Sequence, residues 1–98
     1  MIRHVVMFSW NDDVGDAHVA ATGAALDAVV ATVPEVKDYR HGADLGITDG
    51  NWDYVIVGEF DSFDDYAVYR DDPEHQRVIA EYIKGRVSAR AAVQYDAG

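Results

Sequence analysis

Residues Ile2–Trp10 read IRHVVMFSW, and residues Trp52–Phe60 read WDYVIVGEF. Each alternates with the period of a β-strand, yet each carries apolar side chains on both faces. In the first, Ile2, His4, Val6, Phe8 and Trp10 lie on one side, while Val5 and Met7 centre the other between Arg3 and Ser9. In the second, Trp52, Tyr54, Ile56 and Phe60 share one face; Val55 and Val57 share the other, flanked by Asp53 and Glu59. Strands of this kind are covered from both sides in their middles, so their pairing sets how many layers the fold must supply.

Between them the pattern turns helical. From about Asp16 to Val33, Val19, Leu26, Val29, Val30 and Val33 recur at three-to-four spacing among alanines, with Asn11-Asp12-Asp13 offering caps and Pro34 ending the run. The small residues Ala20, Gly23, Ala24 and Ala25 let this helix approach a sheet closely. Val36–Leu45 reads as a weak, polar strand near an edge, followed by a turn-rich stretch over Gly46–Asn51. After the second strong strand, Ser62-Phe63-Asp64-Asp65 has capping-box spacing and predicts a short helix to Tyr69 or Arg70. Asp72, Pro73 and Glu74 start a second helix, expected to run to about Lys84 with Val78, Ile79, Tyr82 and Ile83 inward and Gly85 as terminator. Val87–Tyr95 closes the chain as a strand.

The order is β-α-β-β-α-β, a ferredoxin-like α+β arrangement in which two helices cover one face of a four-stranded antiparallel sheet. The helices cannot cover the other face, where Val5, Met7, Val55 and Val57 fall. An apolar stripe left open calls for a second layer, and a second copy of the chain supplies it, so the reading predicts a homodimer packed sheet to sheet.

Composition narrows the partners. Eight Lys and Arg against 18 Asp and Glu give a formal net charge of −10, which disfavours phosphate backbones and anionic lipid surfaces. A hydrophobic content of 49% excludes an acidic disordered chain. With 98 residues, no low-complexity linker and no repeat, one domain over residues 1–98 is expected. The chain has no cysteine, hence no thiolate nucleophile and no disulfide. No run approaches the roughly 18 apolar residues of a membrane span, and Met1 leads into no targeting signal, so neither nucleic acid nor membrane is expected and a cytoplasmic address is the default. The acidic runs lack the order of a calcium loop, and the histidines lack metal spacing; no metal and no cofactor is expected.

The opening I-R-H-V-V-M-F, the strand D-Y-V-I-V-G-E-F-D-S and the later D-Y-x-x-Y-x-x-D-P-x-H together resemble the stress-responsive dimeric α/β-barrel (Dabb) domain family over nearly the whole chain. The resemblance implies the topology already derived, with two sheets forming a barrel across a dimer. The family includes stress-related proteins and a plant polyketide cyclase of the olivetolic acid type. By that resemblance His75 matches the cyclase's catalytic histidine and Tyr69 its tyrosine. His4 matches a pocket histidine, and Val6, Phe8 and Ile56 match apolar lining positions. On the first helix the sequence offers Thr22, Gly23 and Leu26 where the cyclase has bulky aromatics, so the pocket should differ in shape, with Leu26 part of its wall.

The chemistry of the residues agrees with that assignment. Counting Asp72 as cap places His75 at the third helical position, where the helix dipole disfavours a second positive charge and leaves the imidazole neutral, as a general base requires. Tyr69, just before the break between helices, can offer a phenolic hydrogen bond to a developing oxyanion. His4 alternates with Val6 and Phe8 and reads as pocket wall. His18 and His41 read as exposed or edge-like, and Trp10 and Trp52, at strand ends, as possible rims of a pocket mouth. The expected function is binding of a small organic molecule, aromatic or polyketide-like, with cofactor-independent acid–base catalysis of the cyclase, aldol or isomerase type. A non-catalytic stress-responsive binding or structural dimer is the competing reading, and a cofactor-free monooxygenase, by fold analogy alone, a third.

Overall fold

The two strongly apolar segments become the centre of the sheet. In the computed structural model, which describes residues 1–98, strand β1 (Ile2–Trp10) pairs antiparallel with β3 (Tyr54–Phe60), setting Val5 opposite Val57 and Met7 opposite Val55. Strand β2 (Asp38–Ala43) adds to the far side of β3, and β4 (Val87–Asp96) to the far side of β1, giving the order β2-β3-β1-β4. The sheet is four-stranded and antiparallel, and the fold is ferredoxin-like.

Register sorts the side chains into two surfaces. Phe8 and Tyr54, Val6 and Ile56, and Phe60 face the helices and are buried there. On the opposite face Val57, Val5 and Val93 form one row and Val55, Met7 and Ala91 the next, all incompletely covered. A polar row ends this stripe: Arg3 donates to the Glu59 carboxylate at 2.8 Å and to the Tyr95 hydroxyl at 2.6 Å.

Three helices cover the inner face. Helix α1 (Asp16–Val30) stops three residues short of expectation. Its end tightens into i→i+3 bonds, Thr32 N to Val29 O and Val33 N to Val30 O, and the Thr32 hydroxyl also bonds the Val29 carbonyl. A residue before proline disfavours helix as well, so Val33 stays in the core but leaves the helix. The expected caps at residues 11–13 are also corrected. Gly15 is the N-cap, without a side-chain bond, and Asn11 instead donates to the Gly85 carbonyl. Helix α2 (Phe63–Asp71) begins as read, with the Ser62 hydroxyl accepting from Asp65 N, and α3 (Pro73–Val78) begins with Asp72 accepting from His75 N.

The last helix does not run to Lys84 as a regular α-helix. After Val78 it widens into one π-type turn over Ile79–Ile83, with Lys84 N bonding the Ile79 carbonyl five residues back. Such a turn inserts a residue into the ladder and is found disproportionately at functional sites. The strands are also trimmed: β2 lacks Val36, Lys37, Asp44 and Leu45, and β3 begins at Tyr54 rather than Trp52.

Candidate functional site

Between the helices and the inner face of β1 lies a cavity of about 270 Å³. Every site residue named from the sequence lines it: His4, Val6, Phe8, Leu26, Ile56, Tyr69 and His75. Its remaining walls are Ile79 and Ile83 of the wide turn, with Lys84, Val87 and Arg90. Its volume is near the lower end of the ~300–1,000 Å³ of small-molecule sites, with the usual apolar wall and few polar groups.

His75 is held by its own helix start. Its backbone N–H bonds Asp72 Oδ2 at 3.0 Å, and its ring Nδ1 lies 3.1 Å from the Arg70 carbonyl. A carbonyl only accepts, so Nδ1 carries the proton and Nε2 keeps its lone pair. Burial pushes the His75 pKa below its ordinary value, against the opposing pull of the Arg70 carbonyl and Asp72. Burial therefore does what the dipole of α3 was expected to do, since a six-residue helix has little dipole to offer. The imidazole is neutral near pH 7 with its free nitrogen a candidate base.

The Tyr69 ring lies against His75, with centroids 4.1 Å apart. Its hydroxyl is 2.8 Å from the Tyr39 hydroxyl, a partner the sequence did not suggest. Burial pushes the Tyr69 pKa up to about 12 and raises that of Tyr39 further, so both remain phenols. When Tyr39 donates, the Tyr69 hydrogen is released for another acceptor.

His4 accepts at Nδ1 from the Gln94 side-chain amide at 2.7 Å, which leaves its proton on Nε2. Burial lowers its pKa to about 4, with the charge of Arg90 and the nearby His75 adding to the effect. His4 is thus a neutral donor, and His75 a neutral acceptor, in one cavity.

Two histidines read as exposed or edge-like are half-buried and tied down, although His41 does lie on the edge strand β2. The His41 side chain is only 13% exposed; its Nε2–H donates to Asp27 Oδ1, and Nδ1 meets the Tyr54 hydroxyl, both at 2.7 Å. His18 donates from Nε2 to the Tyr82 carbonyl at 2.8 Å. Neither lines the cavity. Trp52 lines a more open depression of about 420 Å³ beside Met7 and Val55 on the opposite sheet face, and Trp10 lines neither space. No three His, Asp or Glu side chains converge as metal ligands, and no helix is long and apolar enough to cross a membrane.

Sequence reasoning missed Arg90, which lines the cavity, and Gln94 and Tyr39, which hydrogen-bond the lining residues His4 and Tyr69; all three had findable signals. Once β4 is paired with β1, register alone puts Arg90 opposite Phe8 and Gln94 opposite His4. Tyr39 stands opposite Gly58, whose missing side chain leaves room for the Tyr39 and Phe60 rings. Ile79 and Ile83 were placed inward, though on a regular helix.

A ferredoxin-like α+β chain with a helix-roofed, histidine-bearing cavity and an open apolar sheet face is the class of protein this architecture defines. The chain belongs to the stress-responsive A/B barrel domain (Dabb) family, whose model matches residues 2–97. It is similar to a dimeric ferredoxin-like protein of unknown function from Thermobifida fusca, at 39% identity over 96% of this chain and 88% of that one, with a TM-score of 0.89. A dimeric ferredoxin-like protein of unknown function from Bacteroides fragilis is 24% identical over 97% and 94% of the two chains, with a TM-score of 0.77. The hydroxynitrile lyase of Passiflora edulis shares the fold at 17% identity over 96% and 90%, with a TM-score of 0.83. No curated protein matches the chain.

Proposed function

We propose that this protein is a homodimer that binds a small organic molecule in the cavity of each subunit and moves a proton on it without a cofactor. His75 is the general base and Tyr69 the hydrogen-bond donor to the oxygen on which charge develops. His4, Val6, Phe8, Leu26 and Ile56 hold the ligand. One observation carries this reading: His75, which lines the cavity, binds the Arg70 carbonyl through Nδ1–H, and this leaves the lone pair of its neutral ring on Nε2. The reaction class is proton abstraction alpha to a carbonyl, as in an aldol-type cyclisation or an isomerisation. The dimer forms through Val5, Met7, Val55 and Val57, in keeping with the dimeric relatives from Thermobifida and Bacteroides.

The test uses a small aromatic ketone, 2-tetralone, in deuterated buffer, with exchange of its alpha protons followed by NMR. The protein should accelerate exchange over buffer, and His75→Gln should remove that acceleration, within the ~10²–10⁴-fold range of general-base effects. Tyr69→Phe should slow exchange while leaving binding intact. Wild-type protein that binds the ketone yet exchanges it no faster than His75→Gln would leave a non-catalytic binding protein.

A further inference from the structure

The cavity mouth departs from the electrostatics of the rest of the molecule. Of the eight Lys and Arg residues, five stand in ion pairs: Arg3 with Glu59, Lys37 with Asp61, Arg40 with Asp38, Arg70 with Asp71, and Arg77 with Glu74 and Glu81. The three left without an acidic partner are Lys84, Arg86 and Arg90. Two of those three, Lys84 and Arg90, line the cavity, and no Asp or Glu does, in a chain with 18 acids.

Their placement is set by the fold. Lys84 follows directly on the wide turn that brings Ile79 and Ile83 over the cavity. Arg90 stands opposite Phe8 on the helix-facing side of β4, an edge strand, and both cations are exposed. The charge of Arg90 reaches inward far enough to help hold His4 neutral. Behind the cations the wall is apolar: Val6, Phe8, Leu26, Ile56, Ile79 and Ile83. The acids elsewhere act on a bound molecule through solvent, where 0.1 M salt screens them over ~10 Å, whereas the two cations act at contact.

We infer that the ligand is an organic carboxylate with a compact apolar body, its anionic group held between Lys84 and Arg90 at the mouth and its body toward Tyr69 and His75. This rests on the cavity being the ligand site proposed above and adds to it the charge and orientation of the molecule. A carboxylate meets both side chains with two acceptor oxygens and an opposite charge, while a neutral amide of the same shape offers them one carbonyl oxygen and no net charge.

The experiment compares 4-butylbenzoate with 4-butylbenzamide, titrated against the full-length protein at pH 7 by isothermal calorimetry and by NMR shifts of cavity residues. The carboxylate should bind about tenfold more tightly, the scale of one charge-assisted hydrogen bond. In the double variant Lys84→Gln/Arg90→Gln the preference should fall below about twofold, through a larger loss of carboxylate than of amide affinity, and Arg86→Gln should leave the preference intact. Both substituted positions are exposed, so folding is not at stake. Amide binding as tight as carboxylate binding, or a preference that survives the double variant, would overturn the carboxylate assignment and leave the cavity reading standing. Binding of neither compound at millimolar concentration would overturn both.

Discussion

His4 couples the cavity to the stability of the fold. Its pKa falls from 6.5 to about 4 on folding, mainly through burial. Between those values the unfolded chain takes up a proton that the folded chain refuses, so stability falls as pH drops through that window. At 1.36 kcal/mol per pH unit the loss from His4 alone reaches at most about 3 kcal/mol, and His75 adds in the same direction. Urea midpoints at pH 7 and pH 4.5 should therefore differ more for the wild type than for His4→Gln; equal slopes would remove His4 as the source. Gly23 is a second position where one atom matters. A Cβ there would stand 3.1 Å from both His41 Cε1 and the Tyr54 hydroxyl, and His41 is pinned at both nitrogens. Gly23→Ala should lower stability by about 1 kcal/mol net, crowding of ~1–3 outweighing a helix gain of ~1. Asp27→Ala, by freeing His41, should shrink that cost in a thermal-unfolding double-mutant cycle.

At the scale of elements, the chain was legible wherever local chemistry and tertiary demand agreed. The two apolar strands, the Ser62 and Asp72 caps and the two-faced distribution of valines could all be read directly, because period and capping are local properties. Missed features depend on contacts between elements. The widened turn at Ile79–Ile83 keeps the apolar residues inward that a regular helix would also place inward, so periodicity cannot distinguish them. His41 lies on an edge strand, as read, but its bond to Asp27 depends on where α1 packs, and the bond of Tyr39 to Tyr69 depends on where α2 packs. Likewise His75 was found as a candidate, but its tautomer depends on a carbonyl that only the break between α2 and α3 presents. Pairing also predicts dynamics. The amides of β1, bonded on both sides, should exchange with solvent more slowly than those of the edge strands β2 and β4, by hydrogen-exchange mass spectrometry.

Two apolar surfaces of the whole molecule have different fates. One is the small roofed cavity; the other is the open sheet face, where Val5, Met7, Val55 and Val57 are half-covered and Val93 is exposed. The β2–β3 loop adds Leu45 and Ile47, more than three-quarters exposed. A dimer through this face would join two subunits of formal charge −10. Apolar burial must then overcome charge repulsion, so association should tighten with added salt, the reverse of an interface built from ion pairs. Sedimentation equilibrium should show a dimer at micromolar concentration, and Val55→Asp should shift it toward monomer; a wild-type monomer throughout would refute the interface.

The bond from His75 Nδ1 to the Arg70 carbonyl also bears on stereochemistry. An imidazole free to turn could receive a proton on one nitrogen and deliver it from the other, on either side of a bound molecule. Anchored as it is, His75 exchanges protons only through Nε2, from one fixed direction. In the proposed reaction, removal and return would then occur on a single face of the substrate, and a chiral label beside the carbonyl would be exchanged with its configuration retained.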